Sequence, residues 1–91
     1  MFEKGIKKGT VRFFITPGKS VKQVQLAGDF SGWKAGPMRK QQSGEFAVIV
    51  PLAPGTYEYK FLVDGQWRSD SDNHCWAPNC YGSMNSVATI Q

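Results

Sequence analysis

Apolar and polar residues alternate along most of the chain, in runs of about six to eight residues. Alternation with a period of two predicts β-strands that each bury one face. The longer runs lie at residues 10–15, 21–28, 45–52, 56–63 and 85–90, and the shorter ones at 38–41 and 66–69. Gly, Pro, Asn and Asp separate the runs, as in turns. The pattern predicts an all-β fold, an immunoglobulin-like (early-set) β-sandwich of about seven to eight short antiparallel strands.

The run at 56–63 and the residues after it predict a β-hairpin, whose face away from the core carries a tryptophan and a lysine. Its core side carries Tyr57, Tyr59, Phe61 and Val63. The dipeptide Asp64–Gly65 follows, and its composition favours a two-residue primed turn that sets the pairing of the two strands. In that register Trp67 lies opposite Leu62 on the outer face, diagonal to Lys60. Trp67 is then either a contact residue or half-buried beneath another segment. Arg68 falls on the core side, so we expect the returning strand to end or bulge there.

A second tryptophan follows a turn at residues 27–33, AGDFSGW. Gly28 and Gly32 favour a tight turn, which leaves Trp33 either in the core or held out on a loop. Asp29 is the type of turn residue whose side chain bonds to nearby backbone. The turn therefore raises the possibility of two outward tryptophans on one molecule.

Length and composition predict one domain. The chain has 91 residues, of which 41% are hydrophobic and 13% aromatic, and this composition is typical of a globular protein. We expect a flexible N-terminal segment over residues 1–9 and a single domain over residues 10–91. No apolar run approaches ~18 residues, and the start of the chain lacks the apolar stretch of a signal peptide. We therefore expect no membrane partner and a cytoplasmic location.

The net charge of +4 raises nucleic acid as a partner. The basic residues are scattered, however, and only Lys7–Lys8 and Arg39–Lys40 are adjacent. Scattered charges favour an ordinary solvated surface. No nucleic-acid partner is expected, although a basic binding surface stays open as a third hypothesis.

Cys75 and Cys80 lie with His74 in one short stretch, HCWAPNC. A disulfide across so short a loop would add little stability, and we expect reduced thiols. Structural zinc sites usually take four ligands from two such pairs, and the sequence has no second pair. We therefore predict no metal and no cofactor.

The acidic residues do not suggest a catalytic pair. Glycoside hydrolysis requires two carboxylates that face one bond. Glu58 shares the outer face with Lys60, where an ion pair is the simpler role, and Asp70 and Asp72 alternate without an opposing wall. The sequence therefore predicts a chain that is not an enzyme.

Exposed tryptophans beside a lysine suit a ligand with an apolar face and a polar edge. One face of a pyranose ring stacks on an indole, while Lys, Asn, Ser and backbone groups bind the hydroxyls. Nucleobases also stack, but a nucleic-acid site adds a basic groove that this pattern lacks. The residues therefore favour a carbohydrate over a nucleobase.

Three stretches, in this order and spacing, resemble the family 48 carbohydrate-binding module: VKQVQLAGDFSGW, PGTYEYKFLVDGQWRSD and YGSMNSVATI. That family includes the glycogen-binding domain of the AMP-activated protein kinase β subunit and the N-terminal domains of branching and debranching enzymes. The resemblance covers about residues 10–90. It implies a β-sandwich that binds α-1,4-glucan, such as glycogen, starch or malto-oligosaccharides, without catalysis.

The predicted carbohydrate-binding residues are Trp33, Lys60, Leu62, Trp67, Tyr81, Ser83 and Asn85. By resemblance, the two tryptophans match stacking residues, and the lysine and the asparagine match residues that hydrogen-bond sugar. Ser83 stands where those modules often have Thr and keeps the hydroxyl, whereas Tyr81 stands where they have a Leu that pushes into the glucan ring. Trp76 has no counterpart, and is either a third stacking residue or a plug of its loop. We favour the plug.

A different function stays open beside this one. Domains of this family also occur in multidomain enzymes, where the same fold can pack on a catalytic domain without binding sugar. The alternative is therefore a protein-interaction or structural module that packs on an α-glucan-active catalytic domain, or on a kinase or phosphatase partner. Its outward aromatic residues would then form the interface.

Overall fold

Two antiparallel β-sheets pack face to face, as the alternation predicts. The computed structural model describes residues 1–79 and 82–91. The strands in these residues are β1 (Phe2–Lys4), β2 (Thr10–Ile15), β3 (Val24–Gly28), β4 (Gly36–Pro37), β5 (Arg39–Lys40), β6 (Phe46–Pro51), β7 (Gly55–Val63), β8 (Gln66–Arg68), β9 (Trp76–Pro78) and β10 (Met84–Ile90). The first sheet has the order β1-β2-β6-β5, and the second has the order β4-β3-β7-β10-β9, with β8 paired to β7. The predicted all-β sandwich is confirmed.

Helical structure in the described residues is limited to a 3₁₀ turn at Asp29–Ser31, which follows β3. This part of the chain contains no helix with the length and apolar character that a membrane crossing requires.

The core lies between the sheets and comes from the inward positions of alternating strands. β2 buries Val11 and Phe13, and β7 buries Tyr59 and Phe61. The Phe13 and Tyr59 rings meet edge to face, with their centroids 5.0 Å apart. Each buried side chain of this size contributes about 1.5–3 kcal/mol of hydrophobic free energy. Because one face of each strand is buried, the period of two in the sequence correctly predicts these positions.

β7 is the central strand of the second sheet, and one of its neighbours changes along its length. On one side, β3 pairs with β7 from Tyr59 to Val63. On the other side, β10 pairs with β7 only as far as Tyr59, and β8 pairs from Phe61 onward. Lys60 therefore lies at the point where one neighbouring strand leaves β7 and the other joins it.

The β7–β8 hairpin has the predicted turn and register. Both turn residues have positive φ angles, 46° at Asp64 and 82° at Gly65, as a primed turn requires. Leu62 lies opposite Trp67. β8 ends at Arg68, which is exposed, so the expected end of the strand at this residue is confirmed.

The structure differs from the sequence prediction at the shortest strands. Phe2–Lys4 forms β1 within the segment expected to be flexible, because the Phe2 ring packs on Phe13 and Tyr59 at centroid distances of 6.1 and 6.4 Å. The run at 21–28 pairs only from Val24 onward. β4 and β9 are not predicted, since strands of two or three residues are too short to display alternation.

Candidate functional site

The outer face of the second sheet carries three side chains of β7. Glu58, Lys60 and Leu62 point outward, because the residues that alternate with them are buried in the core. Trp67 lies opposite Leu62 and is 51% exposed. Directly paired residues project from the same face of a sheet. Trp67 therefore shares the outer face with Lys60 and the half-buried Leu62, as the hairpin register predicts.

Lys60 contacts the residue that precedes β10. Its Nζ donates a hydrogen bond of 2.8 Å to Oγ of Ser83. The same hydroxyl accepts a hydrogen bond of 2.8 Å from Nδ2 of Asn79, and the backbone N–H of Ser83 donates to Oδ1 of Asn79 at 3.2 Å. Lys60 and Ser83 thus form an exposed polar pair beside Trp67, and Asn79 holds the serine in place.

Asn85 lies on the same outer face but is only 7% exposed. Its Nδ2 donates to Oε1 of Glu58 at 3.0 Å, and its Oδ1 accepts from Nδ2 of Asn79 at 3.0 Å. Both ends of the amide therefore have partners within the protein. A direct bond from Asn85 to a ligand would use the second N–H or the second oxygen lone pair of this amide.

The ion pair expected between Glu58 and Lys60 is wrong, since no such pair forms within residues 1–79 and 82–91. Lys60 instead donates to Ser83, while Glu58 accepts from Asn85. Sequence reasoning also missed Asn79. Its bonds arise from the path of the chain between β9 and β10, which no local pattern predicts.

In the turn after β3, the side chain of Trp33 is held by a hydrogen bond to the side chain of Asp29. Trp33 has a φ angle of 64°, in the left-handed region that residues other than glycine seldom occupy. Its Nε1 donates to Oδ1 of Asp29 at 3.1 Å, and Oδ2 of Asp29 accepts from the backbone N–H of Glu58 at 2.8 Å. These bonds tie the indole to β7. Trp33 is 37% exposed, so its ring lies outside the core.

Gly28 allows this turn to lie against β7. A Cβ atom at this position would lie 2.6 Å from the Phe30 ring and 2.7 Å from the carbonyl oxygen of Glu58. Both distances are too short for any side chain. The Phe30 ring packs on Phe13 with centroids 5.4 Å apart. The turn is therefore anchored in the core at Phe30, while Trp33 remains outside.

Trp76 occupies the edge strand β9, on the other face of the same sheet. It pairs with Ser86, which is buried on the core side. Its Nε1 donates to the carbonyl oxygen of Asn73 at 2.7 Å, and 55% of the residue is exposed. The interpretation of Trp76 as a plug is wrong, because a plug would be buried. Its register also separates it from Trp67.

A buried polar cluster lies on the core side of β7. The Tyr59 hydroxyl donates to Oδ2 of Asp70 at 2.7 Å and accepts from Nδ2 of Asn73 at 3.0 Å. The backbone N–H of Asp70 donates to Oγ of Ser86 at 2.7 Å. Burial raises the pKa of the Tyr59 phenol far above its ordinary value, and the hydrogen bond to Asp70 raises it further. The cluster fastens the segment after β8 to β7 and β10.

Two residues named in the sequence analysis, Cys80 and Tyr81, lie outside the described residues. The contact predicted for Tyr81 therefore has no structural description. Cys75 is exposed and free. Among the described residues, no three His, Cys, Asp or Glu side chains come together as metal ligands do.

The outer face combines an exposed indole with a fixed ammonium group and a fixed hydroxyl. Trp67 offers a flat apolar surface, and Lys60 and Ser83 offer a cation and a hydroxyl next to it. Such an arrangement can stack on one face of a ring and hydrogen-bond to groups at its edge. The chemistry is that of recognition.

Comparison with known proteins relates the chain to parts of larger proteins. It is 46% identical over 52 residues to Protein PTST homolog 2, chloroplastic, of Arabidopsis thaliana, covering 56% of this chain and 10% of that protein. It is 40% identical over 78 residues to Protein FLOURY ENDOSPERM 6, chloroplastic, of Oryza sativa subsp. japonica, covering 85% and 14%. It is 43% identical over 70 residues to 5'-AMP-activated protein kinase subunit beta-1 of Rattus norvegicus, covering 77% and 25%. The chain thus spans about a tenth to a quarter of the length of these relatives.

The fold also occurs in a solved enzyme structure. The crystal structure of maltogenic amylase from S. marinus matches 90% of this chain and 13% of its own chain, with a TM-score of 0.75 and 25% sequence identity. The family model described as the glycogen recognition site of AMP-activated protein kinase matches residues 11–91, nearly the whole length. The chain therefore belongs to the family of the glycogen recognition site of AMP-activated protein kinase.

Proposed function

We propose that this chain binds α-1,4-glucan, as glycogen, starch or malto-oligosaccharide, and catalyses no reaction on it. The observation that carries the proposal is the exposed Trp67 beside the hydrogen-bonded pair of Lys60 and Ser83. A glucose unit has an apolar C–H face that stacks on an indole and hydroxyls that meet an ammonium group and a hydroxyl. Membership of a glycogen-recognition family supports the same ligand.

Each predicted residue has a role in this proposal. Trp33 and Trp67 stack on glucose rings, and Leu62 extends the apolar surface beside Trp67. Lys60 donates to sugar hydroxyls, and Ser83 donates or accepts. For Asn85 the proposal is a bond from the second N–H or the second oxygen lone pair of its amide, and Tyr81 stays a predicted contact.

The proposal predicts weak to moderate affinity. Few side chains meet the ligand, and a hydrated polymer loses freedom when it binds. The sheet and the bonds at Asp29 and Asn79 hold the binding side chains before the ligand arrives, which reduces the cost of ordering them. Bridging waters share the remaining polar contacts.

The test is a calorimetric titration with maltoheptaose. Trp33→Ala and Trp67→Ala are each expected to weaken binding about 5- to 150-fold, since base–aromatic stacking of comparable area is worth about 1–3 kcal/mol per ring. Trp76→Ala is the matched control, because it removes an equally exposed tryptophan from the other face of the sheet. It should leave the affinity unchanged. Full binding by the Trp67→Ala variant would overturn the proposal.

A protein-interaction module is the second candidate. It is favoured by the relation to a kinase subunit and by the small share of each relative that the chain spans. In this case the outward aromatic residues contact a protein, and the titration with maltoheptaose gives no heat for the unaltered chain. The heat of the maltoheptaose titration therefore distinguishes the two candidate functions.

The remaining partner and location predictions stand as proposals. No nucleic-acid or membrane partner is proposed. A nucleic-acid partner would reveal itself by binding that weakens steeply with added salt. The cytoplasmic location stays a prediction, and two of the relatives are described as chloroplastic.

A further inference from the structure

A cavity of about 560 Å³ opens beside Lys60, Trp67 and Ser83. It arises at Lys60, where β10 leaves β7 and β8 joins it. Because β8 and β10 do not pair with each other at this point, a gap remains between the end of one and the start of the other. Volumes of about 300–1,000 Å³ are typical of small-molecule sites. The gap is therefore large enough to receive a sugar unit.

The lining of this cavity divides into an apolar part and a polar part. Beyond the three residues shared with the outer face, it includes Ile15, Pro17, Met84, Arg68, Ser71 and Asp72. The first three are apolar and the last three are polar. A glucose unit presents the same division, with C–H groups on its ring face and hydroxyls at its edge.

The polar part has side-chain groups without a hydrogen-bond partner among the residues that the structure describes. Among residues 1–79 and 82–91, no side chain pairs with the carboxylate of Asp72 or with the guanidinium of Arg68. The backbone N–H of Asp72 donates to Oδ1 of Asp70 at 3.1 Å. A carboxylate accepts from hydroxyls, and a guanidinium donates to them.

The cavity lies across β7 from Trp33. The backbone N–H of Trp33 bonds to Gly28 at the end of β3, and β3 lies along one side of β7. The lining of the cavity includes residues of β8 and β10, which lie along the other side of β7, and Ile15 at the end of β2 in the first sheet. The cavity and the turn that carries Trp33 therefore flank β7 on opposite sides.

We propose that this cavity is a further subsite, which takes a glucosyl unit of a linear glucan beyond those that stack on the two tryptophans. The proposal rests on the proposed function. Such a subsite would bind linear glucans but not cyclic ones, because a closed ring curves back over the outer face and has no unit that extends into the cavity. Asp72 and Ser71 bind hydroxyls of the additional unit, and Met84 and Pro17 contact its C–H groups.

The experiment compares two ligands with the same number of glucose units: linear maltoheptaose and the cyclic α-1,4-glucan of seven units. The variant is Asp72→Ala, which removes the carboxylate and keeps the backbone bond to Asp70. It should weaken binding of maltoheptaose by at least about tenfold, the effect of losing one hydrogen bond to a charged group. Binding of the cyclic glucan should not change.

Glu3→Ala is the matched control, since it also removes one exposed carboxylate, from the other sheet. It should change neither affinity. Equal effects of Asp72→Ala on both ligands, or no effect on maltoheptaose, would overturn the subsite while leaving the proposed function intact. If the unaltered chain binds neither ligand, the proposed function fails, and the subsite fails with it.

Discussion

The indole Nε1 of Trp33 and the carboxylate of Asp29 are joined by a hydrogen bond of 3.1 Å, within a single turn of the chain. The other carboxylate oxygen accepts the backbone N–H of Glu58 at 2.8 Å. Asp29 thus connects the exposed ring to the central strand of the sheet. The bonds hold the Trp33 side chain in place. The backbone of Trp33 has a φ angle of 64°, which residues other than glycine seldom adopt.

The first prediction concerns Asp29. Asp29→Ala is expected to weaken maltoheptaose binding about three- to tenfold, because the Trp33 ring loses the bond that orients it before binding. Asn at position 29 keeps one oxygen as an acceptor, so the affinity of Asp29→Asn for maltoheptaose should lie between those of Asp29→Ala and the unaltered chain. Calorimetric titration measures the affinity, with Glu3→Ala as the control for loss of an exposed carboxylate. Unchanged affinity of Asp29→Ala would mean that the bond does not position the ring for the ligand.

The second prediction concerns Gly28. Gly28→Ala should lower the free energy of unfolding by about 1–3 kcal/mol, because a Cβ atom would meet the Phe30 ring and the backbone of β7. Urea denaturation measures the change. Gly36→Ala is the matched control, since the nearest atom to its added Cβ is 3.9 Å away. Equal stability of the two variants would contradict the close approach of the turn to β7.

The third prediction concerns Tyr59 at alkaline pH. Its pKa in the folded chain is raised by burial and by the bond to Asp70. Above pH ~10 the phenol ionises in the unfolded chain but keeps its proton in the folded chain. The unfolded state then binds fewer protons, so the free energy of unfolding falls as the pH rises. Below pH ~10 both states are protonated, and the contribution of Tyr59 is fully present.

Urea denaturation at several pH values between about 8 and 11 tests this prediction. Tyr59→Phe should be less stable than the unaltered chain at neutral pH, since Asp70 and Asn73 lose a partner. Its stability should also fall less steeply above pH ~10. Parallel curves for the two proteins would show that another group causes the alkaline loss.

Alternation along the chain was sufficient to predict the long strands and the hairpin. β2 and β7 bury every second residue along much of their length, and this burial requires the apolar period of two that the sequence displays. β6 and β10 each also bury one adjacent pair, Phe46–Ala47 and Asn85–Ser86. The turn residues Asp64 and Gly65 adopt the positive φ angles that their composition favours. The outward position of Trp67 followed from these two local rules, and the structure has the same register.

The candidate site was predictable only in part, because many of its contacts join distant residues. Lys60 and Ser83 are 23 positions apart, and the partner of Asn85 is Glu58, 27 positions earlier. No period or spacing predicts such a bond. The expected ion pair of Glu58 with Lys60 was wrong for this reason, since Asn85 in β10 bonds to Glu58, and Ser83, just before β10, bonds to Lys60.

The amino-acid sequence, read alone, was enough to establish which residues lie inward and outward on the long strands, because period-two burial and turn chemistry act between near neighbours. The pairing of the short strands β1, β4 and β9, the exposed position of Trp76 and the cavity at Lys60 depended on the assembled sheets. The short strands have only two or three residues and so display no alternation, and the cavity brings together residues of β2, β7, β8 and β10. Such contacts form only when the strands assemble into sheets, so no local pattern in the sequence predicts them.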